Sequence, residues 1–323
     1  MELRYGAALN RALADAMDLD ASVIVMGEDI AAAGGSFGVT RGLLDRYGPE
    51  RVLDSPISEA ALAGMAVGAA MTGLKPVIEI MFMDFVTLAM DAVVNQAAKA
   101  RFMFGGQCST PLVVRTPHGG GLSAGPQHSQ CLEAWFAHVP GLKVVCPSGA
   151  HNAYGLLRSS ISDPDPVIFV EHKALYARKD EMPDDLRPIP LGQAATRRDG
   201  NDATVVSYGA AVALALEAAE RLAGDGVSVE VLDLQTLQPW DEQAVLVSLA
   251  RTHRLVVVHE AVEAFGIGAE IVARMADAGY DELHGPIVRV GAAYTPVPFA
   301  PALEQAYRPS VEQIVAAIRR TIG

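Results

Sequence analysis

Short apolar runs alternate with segments of helical periodicity along most of this chain. Val23 to Gly27 (VIVMG), Pro76 to Met81 and Pro111 to Thr116 are typical of buried strands, and Phe85 to Phe104 is typical of a helix. Uniformly apolar strands separated by helices indicate a mostly parallel sheet that is covered on both faces. The sequence therefore predicts an α/β, doubly wound fold.

The pattern is interrupted once, and this interruption predicts two domains. Pro183, Pro188 and Pro190 follow an acidic stretch. Strand–helix alternation resumes with a predicted strand at Ala203 to Ser207 and ends with a predicted helix at Val311 to Ile322. A chain of 323 residues also exceeds the ~250 at which a single core usually stops growing. We expect a first domain over 1–185, a linker over 186–200 and a second α/β domain over 201–323.

Composition narrows the classes of function. The hydrophobic share is 50% and the formal net charge is −13, so binding to nucleic acid or to an anionic membrane is disfavoured. The most membrane-like stretch, residues 60–74, is uncharged but only 15 residues long, which is shorter than the ~20 of a spanning helix. Cys108, Cys131 and Cys146 lack metal-site spacing. With no signal-peptide pattern at the start, we expect a cytoplasmic protein.

The glycine motifs do not match known nucleotide fingerprints. Gly266-Ile267-Gly268 follows a predicted strand but lacks the third glycine, and residues 118–125 form a glycine-rich loop of a different spacing. Gly224-Asp225-Gly226 resembles the start of a diphosphate and Mg²⁺ motif. However, no asparagine follows it to complete the metal site, so a turn is the better interpretation.

Glu59 is the best candidate for acid–base chemistry. It stands at a strand-to-helix junction, before the uncharged stretch, and burial would raise its pKa and let it share a proton with a ring nitrogen. The alternative is an ordinary first-turn glutamate that interacts with the helix dipole. Ser58 is a plausible N-cap of the same helix.

Several motifs together resemble the beta subunits of thiamine diphosphate-dependent 2-oxo acid dehydrogenases. They include DSPISEAALAGMAVGAAMTGLKPVIEIMFMDF, VVNQAAKARFMFGG, QHSQ, AHVPGLKVVCP, DPDPVIFV, LVVVHE and TPVPFA, in the family's order from about residue 4 to 320. The resemblance implies a thiamine-pyrimidine-binding domain followed by a transketolase C-terminal-like domain. It also implies two beta chains paired with two alpha chains, and alpha chains that bind Mg²⁺ and the diphosphate.

The resemblance assigns roles to single residues. Glu59 matches the glutamate that hydrogen-bonds N1′ of the aminopyrimidine and so promotes loss of the cofactor's C2 proton. Phe85 matches the aromatic residue that stacks on the pyrimidine, and Ile57 lines the same pocket. His128, in QHSQ, matches a histidine that faces the substrate and the incoming lipoyl group. Without the resemblance, Phe85 would be an ordinary core residue and His128 a solvated loop residue.

Three further features are expected, the potassium site from the resemblance and the glycine contact from the spacing of Gly64 and Gly68 on one helix. Glu28 is expected to join an acidic path between paired active sites. A structural K⁺ would be held by backbone carbonyls, and Gly64 and Gly68 would let another backbone approach, either in a second chain or within the domain. No role follows for His118. The potassium ligands would be Leu112, Ser160, Ile161, Asp163 and Asp165.

The acyl donor stays open between members of the family. RFMFGG and EHKALY are closer to pyruvate- and acetoin-type subunits than to branched-chain ones, whereas Gln235 stands where Arg is frequent and residues 122–126 vary among members. We expect a pyruvate-type subunit that reductively acylates a lipoyl domain and binds the subunit-binding domain of a core acyltransferase. A transketolase or deoxyxylulose-phosphate synthase fragment would carry the missing asparagine. A non-catalytic scaffold would not need Glu59, Phe85 and His128.

Overall fold

A computed structural model describes all residues, 1–323. The first part of the chain contains eight strands and seven α-helices. The strands are β1 (Glu2–Arg4), β2 (Val23–Gly27), β3 (Val52–Asp54), β4 (Lys75–Glu79), β5 (Val113–His118), β6 (Lys143–Val145), β7 (Val167–His172) and β8 (Lys179–Glu181). The helices are α1 (Tyr5–Leu19), α2 (Leu43–Tyr47), α3 (Glu59–Met71), α4 (Met83–Val86), α5 (Ala98–Met103), α6 (Glu133–Ala137) and α7 (Ala150–Ser162).

The rest of the chain repeats the alternation. Its strands are β9 (Ala195–Arg198), β10 (Ala203–Ser207), β11 (Val229–Asp233), β12 (Thr236–Gln238), β13 (Leu255–Val262) and β14 (Val288–Ala292). Its helices are α8 (Ala211–Ala223), α9 (Glu242–Thr252), α10 (Ile267–Ala278), α11 (Pro301–Tyr307) and α12 (Val311–Ile322). The prediction of an α/β fold is confirmed, and the predicted strand at 203–207 and helix at 311–322 have the observed bounds.

Two larger sheets organise these elements. The first has the order β12-β6-β7-β5-β4-β2-β3, and the second has the order β14-β13-β10-β11-β9. All neighbours are parallel except β12 and β9, each of which pairs antiparallel at an edge. In the first sheet β2 lies between β3 and β4, so the winding direction changes there. Ligands of doubly wound sheets bind outside the strand ends at such a switch point.

The two parts of the chain share structure. Strand β12 belongs to the second part of the sequence but lies in the first sheet. The largest apolar core cluster contains residues of both parts, for example Ile78 and Leu232. Residues 186–200, predicted as a linker, contain β9, which pairs with β11. The segment is therefore partly sheet, and the exact domain boundaries stay a prediction.

Helix α3 begins after Ser58, which is its N-cap residue as predicted. The Ser58 side chain, however, makes no capping hydrogen bond. Its backbone N–H instead donates to Glu28 Oε1 at 3.0 Å. Gly64 and Gly68 lie on an exposed face of α3, and a Cβ at either would meet no atom within 4 Å. They therefore do not serve packing within this chain.

The predicted helix after β4 is helical but irregular. It begins as α4, passes through a short 3₁₀ turn and a π-helical stretch over Asp91–Ala97, and ends as α5. Within the π-helical stretch, Asn95 Nδ2 donates to Asp91 Oδ1 at 2.8 Å. This segment carries Phe85 shortly after the carboxyl end of β4.

Candidate functional site

The candidate residues follow the carboxyl ends of neighbouring parallel strands. Glu28 follows β2, Glu59 comes shortly after β3, and Phe85 comes shortly after β4. The glycine-rich loop follows β5, which lies beside β4. Because the carboxyl ends of parallel strands meet at one edge, these residues collect at the switch point where a ligand is expected.

Two buried carboxylates lie together at this point. Glu28 is 1% exposed and Glu59 is 5% exposed. Burial, reinforced by the Glu59 carboxylate, raises the pKa of Glu28, while the Ser58 N–H opposes the shift. Glu28 Oε2 is buried without a hydrogen-bond partner. A buried carboxylate pair with a free oxygen fits a ligand whose ring nitrogen can share a proton with a carboxyl group, as an aminopyrimidine can.

Three aromatic rings from the segments after β4 and β5 contact one another. Phe85 and His128 meet edge to face with 5.3 Å between ring centroids. Phe82 lies 4.9 Å from the His128 ring and 5.7 Å from the Phe85 ring, also edge-on. Ile57, just before α3, is 76% exposed. The structure therefore brings Phe85 and His128 into contact, whereas the Ile57 side chain points to an open side of the chain.

The backbone of His128 is held on both sides. Its N–H donates to the Gly125 carbonyl at 3.3 Å, and its carbonyl accepts from Lys173 Nζ. Lys173 also donates to Ser129 Oγ at 3.2 Å and is 3% exposed. Burial lowers the pKa of Lys173, and the Asp84 carboxylate opposes that shift. Lys173 was not singled out from the sequence, and its position directly after the apolar strand β7 is the available signal.

The glycine-rich loop contacts carboxylates of the second part of the chain. Gly120 N–H donates to Glu260 Oε1 at 2.6 Å, and Gly121 N–H donates to Glu304 Oε1 at 2.9 Å. Burial opposes ionisation of Glu260, but His172 and then Arg308 hold its pKa well below the usual range. Sequence reasoning missed Glu304 altogether. Glu260 stood in a quoted motif, where a charge inside an apolar run (LVVVHE) signals a buried ion pair.

His118 belongs to a separate polar cluster. Its Nδ1 lies 3.3 Å from Glu133 Oε2, and the ligand atoms of His118, Cys131 and Glu133 all lie within 4.8 Å of one another. Glu133 Oε1 already accepts the Tyr208 hydroxyl at 2.8 Å. Because both Glu133 oxygens have partners, the cluster is complete as a hydrogen-bonded network. The pKa of Glu133 is lowered by His118 against the effect of burial.

Charged side chains of β4, β5 and β7 form a buried ion network within the first sheet. Arg115 donates to Glu171 through Nε at 2.7 Å and to Glu79 through Nη1 at 2.8 Å, and Tyr176 OH donates to Glu171 at 2.6 Å. Arg115 is 1% exposed. These charges stand inside the strands β4, β5 and β7, where they could be read from the sequence only as interruptions of apolar runs.

The residues proposed to bind potassium lie close to the Asp163–Asp165 segment, away from this site. Asp163 pairs with Lys143 at 2.6 Å, and Asp165 pairs with Arg101 at 2.5 Å. The Leu112 carbonyl accepts from Val167 N–H at 2.9 Å. The Ser160 carbonyl accepts from Asp163 N–H at 3.3 Å, and Ile161 is buried beside it. The acidic side chains are neutralised by cations, so only backbone oxygens are left for an ion.

The other glycine motifs have structural explanations. A Cβ on Gly268 would lie 2.7 Å from His259 Nε2, so the Gly266–Gly268 pair allows close packing of α10 on β13. Gly226 has φ +79° and follows α8, which confirms the turn interpretation of residues 224–226. A cleft of about 1040 Å³ lies beside Phe102 and Pro239 and includes none of the candidate catalytic residues. None of the helices is long and apolar enough to cross a membrane.

Comparisons with known proteins agree with this geometry. Residues 1–179 match the family model "Transketolase, pyrimidine binding domain", and residues 192–314 match "Transketolase, C-terminal domain". The chain is 46% identical to the beta subunit of acetoin:2,6-dichlorophenolindophenol oxidoreductase of Bacillus subtilis, covering 98% of this chain and 96% of that protein. It is 43% identical to a mitochondrial pyruvate dehydrogenase E1 component subunit beta-2 of rice, covering 99% of this chain and 86% of that protein.

One solved structure has the same fold. It is titled "Split gene transketolase, inactive beta4 tetramer", with a TM-score of 0.81, 22% identity and coverage of 99% of this chain and 98% of the other. The likeness confirms a transketolase-like arrangement of the two α/β parts.

Proposed function

Because this chain belongs to the family of beta subunits of thiamine diphosphate-dependent 2-oxo acid and acetoin dehydrogenases, we propose that it completes the active site of a decarboxylating component. The donor is a small 2-oxo acid of pyruvate type, and the acyl group passes reductively to a lipoyl domain. The observation that carries this proposal is the pair of buried carboxylates, Glu28 and Glu59, at the switch point. Phe85 and His128, which contact each other, follow the neighbouring strands β4 and β5.

Glu59 is the proposed partner of N1′ of the aminopyrimidine. Bound beside Glu59, thiamine diphosphate would supply the carbon nucleophile and the electron sink that decarboxylation of a 2-oxo acid requires. Glu59 holds the proton shared with N1′, and the burial of both carboxylates keeps water from competing for it. Glu28 has one carboxylate oxygen without a hydrogen-bond partner. This residue is the proposed start of an acidic path toward a second active site.

Phe85 and His128 divide the remaining tasks. Phe85 offers its face to the pyrimidine, and Ile57 closes the same pocket from its exposed position once a second chain covers it. His128 touches both Phe82 and Phe85, so its imidazole stands at the border between the cofactor and the donor. There it hydrogen-bonds the donor oxygen and transfers a proton during acyl transfer to the lipoyl group.

The cofactor is shared between subunits in this proposal. The chain lacks the asparagine that would complete a GDG-type metal site, so the alpha subunit binds Mg²⁺ and the diphosphate. Two alpha and two beta chains form the heterotetramer. The exposed Gly64–Gly68 face of α3, where a Cβ would meet nothing within 4 Å, is the proposed contact with another chain. A K⁺ bound by the carbonyls of Leu112, Ser160, Ile161, Asp163 and Asp165 would stiffen the assembly.

Acetoin is the second candidate donor. The acetoin-type relative from Bacillus subtilis has a higher sequence identity to this chain, 46%, than the pyruvate-type relative from rice, 43%. The same site would then cleave the carbon–carbon bond of a hydroxyketone in place of a 2-oxo acid, with the same acyl transfer to lipoyl.

Reconstitution tests the proposal. Alone, the chain should bind thiamine diphosphate poorly and release no CO₂ from pyruvate, because the diphosphate half of the site is missing. With an alpha subunit, Mg²⁺ and a lipoyl domain, it should turn over pyruvate or acetoin, and the donor that reacts decides between them. Full turnover by the isolated chain would contradict the shared site, and a cofactor-loaded tetramer that acts on neither donor would contradict the proposed reaction.

A further inference from the structure

The glycine-rich loop that precedes His128 has few side chains of its own that could fix its conformation. It spans residues 118–125, and Gly119, Gly121 and Gly125 all have positive φ angles, of +86°, +98° and +76°. Ser123 has φ 54° although it is not a glycine. Such backbone loses much conformational freedom on ordering, so the loop needs strong partners for its N–H groups.

Those partners come from the far part of the sequence. Glu304, on α11, accepts Gly121 N–H with one carboxylate oxygen at 2.9 Å and Ser123 N–H with the other at 3.0 Å. Glu260, on β13, accepts Gly120 N–H at 2.6 Å. Glu304 is 4% exposed and Glu260 is 6% exposed. Hydrogen bonds from backbone N–H groups to buried carboxylates are stronger than neutral ones.

The two carboxylates are themselves fixed in place. Glu260 Oε2 is 3.0 Å from both His172 Nε2 and Arg308 Nη2. Arg308 comes directly after α11, so the segment that supplies Glu304 also orients Glu260. The loop is thus held by a rigid group of charges and not by mobile surface side chains.

The loop passes its position on to His128. Phe299 occupies the space where Gly125 would carry a Cβ, which would lie only 2.1 Å from the Phe299 ring. The Gly125 carbonyl accepts the His128 N–H at 3.3 Å. A displacement of the loop would therefore move His128 relative to Phe85.

We propose that Glu304 and Glu260 are positioning residues for His128: the second part of the chain sets the location of the acid–base histidine by holding the backbone of the glycine-rich loop. This inference rests on the proposed function for the step that His128 performs, but the positioning itself is independent of the donor. Neither carboxylate hydrogen-bonds the His128 side chain, and the loop backbone links them to it.

Glu304→Gln separates this role from general packing. The amide keeps the size of the side chain but presents an oxygen on one branch only, so it cannot accept both Gly121 N–H and Ser123 N–H. In the assembled complex, amide hydrogen exchange of peptides covering residues 119–128 should accelerate by about tenfold or more, the scale of a lost hydrogen bond to a charged acceptor. The control is Glu220→Gln, a 76% exposed side chain in a surface ion pair, which should leave that exchange unchanged.

Kinetics then distinguish positioning from stability. Glu304→Gln should keep cofactor binding and C2-proton exchange, because Glu59 and Phe85 do not touch the loop carboxylates. Acyl transfer to the lipoyl domain should fall by about 10²-fold, the usual cost of a misplaced reacting group. Faster hydrogen exchange with unchanged acyl transfer would overturn the proposal, as would unchanged exchange in residues 119–128.

A second variant covers the case in which Glu304→Gln does not fold. Phe299 is 65% exposed, so Phe299→Ala removes the contact at Gly125 with little loss of core. It should accelerate exchange at residues 125–128 and slow acyl transfer, and the absence of both effects would overturn the proposal. If the parent complex has no turnover with either donor, the proposed function fails, whereas the exchange measurements still decide whether the carboxylates hold the loop.

Discussion

The rings of Phe85 and His128 meet edge to face, with 5.3 Å between their centroids and 82° between their planes. Phe85 comes from the helix after β4, and His128 comes from the loop region after β5. The ring proposed to stack on the cofactor therefore touches the ring proposed to act on the donor. A shift of the segment that carries His128 would therefore move the acid–base group relative to the ring proposed to hold the cofactor.

Removing the imidazole should affect one step more than the others. His128→Ala, assembled with an alpha subunit, should bind cofactor nearly normally because Glu59 and Phe85 are unchanged. Acyl transfer to a lipoyl domain should slow by about 10²-fold or more, the scale of a lost acid–base group. Single-turnover kinetics measure this step directly, and transfer at the parent rate would show that His128 is only a loop residue.

Lys173 should contribute stability that a surface lysine does not. Lys173→Met keeps an apolar stem of similar length but leaves the His128 carbonyl without its Nζ donor. We expect the free energy of unfolding to fall by about 1–3 kcal/mol, the cost of an unsatisfied buried acceptor. Lys179→Met is the matched control, because Lys179 is 55% exposed in a surface pair with Glu2. Equal losses in both variants, measured by urea unfolding, would contradict the buried role.

Asp233 should make stability depend on pH. Burial raises the pKa of Asp233 to about 6, although the Ser148 hydroxyl opposes the shift. An unfolded Asp has a pKa of about 3.9, so the folded chain binds this proton more tightly. The stability from Asp233 is therefore complete below about pH 4 and is lost as the pH rises through about 6.

Asp233→Asn removes this titration. Relative to the variant, the parent should lose about 1 kcal/mol of unfolding free energy between about pH 5.5 and about pH 8. Chemical unfolding of both proteins at the two pH values measures the difference. Asp225→Asn, a change at a 53% exposed side chain, controls for general charge effects, and an identical pH profile for the parent and Asp233→Asn would contradict the assignment.

Much of the fold could be predicted because it depends on local patterns. The apolar run at 203–207 and the amphipathic helix at 311–322 have the predicted bounds. The short edge strands β9 and β12 could not be predicted, since each is defined by its pairing with a distant strand. Ser58 is the N-cap residue of α3, as its residue type predicts, but the bond from its backbone N–H to the distant Glu28 could not be predicted.

In the candidate site too, some residues could be found from the sequence and others only from the fold. Glu59 and His128 stand in motifs that the chain shares with its relatives, so the resemblance could point to them. Glu304 could not be found in this way, because its role depends on contacts with a loop far away in the sequence. Buried charges inside apolar strands, such as Arg115 and Glu171, were visible in the sequence, but only the fold shows that they pair with each other.

The central claim is that Glu59 shares a proton with the aminopyrimidine, and C2-proton exchange of the bound cofactor tests it most directly. Glu59→Gln keeps the size of the side chain and costs the first turn of α3 only about 0.3–1 kcal/mol, so the complex should assemble. Exchange with deuterated water, followed by NMR after acid quench, should slow by about 10²-fold or more, equivalent to about 2.7 kcal/mol. Exchange at the parent rate in a fully loaded variant would show that Glu59 is only a helix-start residue and would contradict the account.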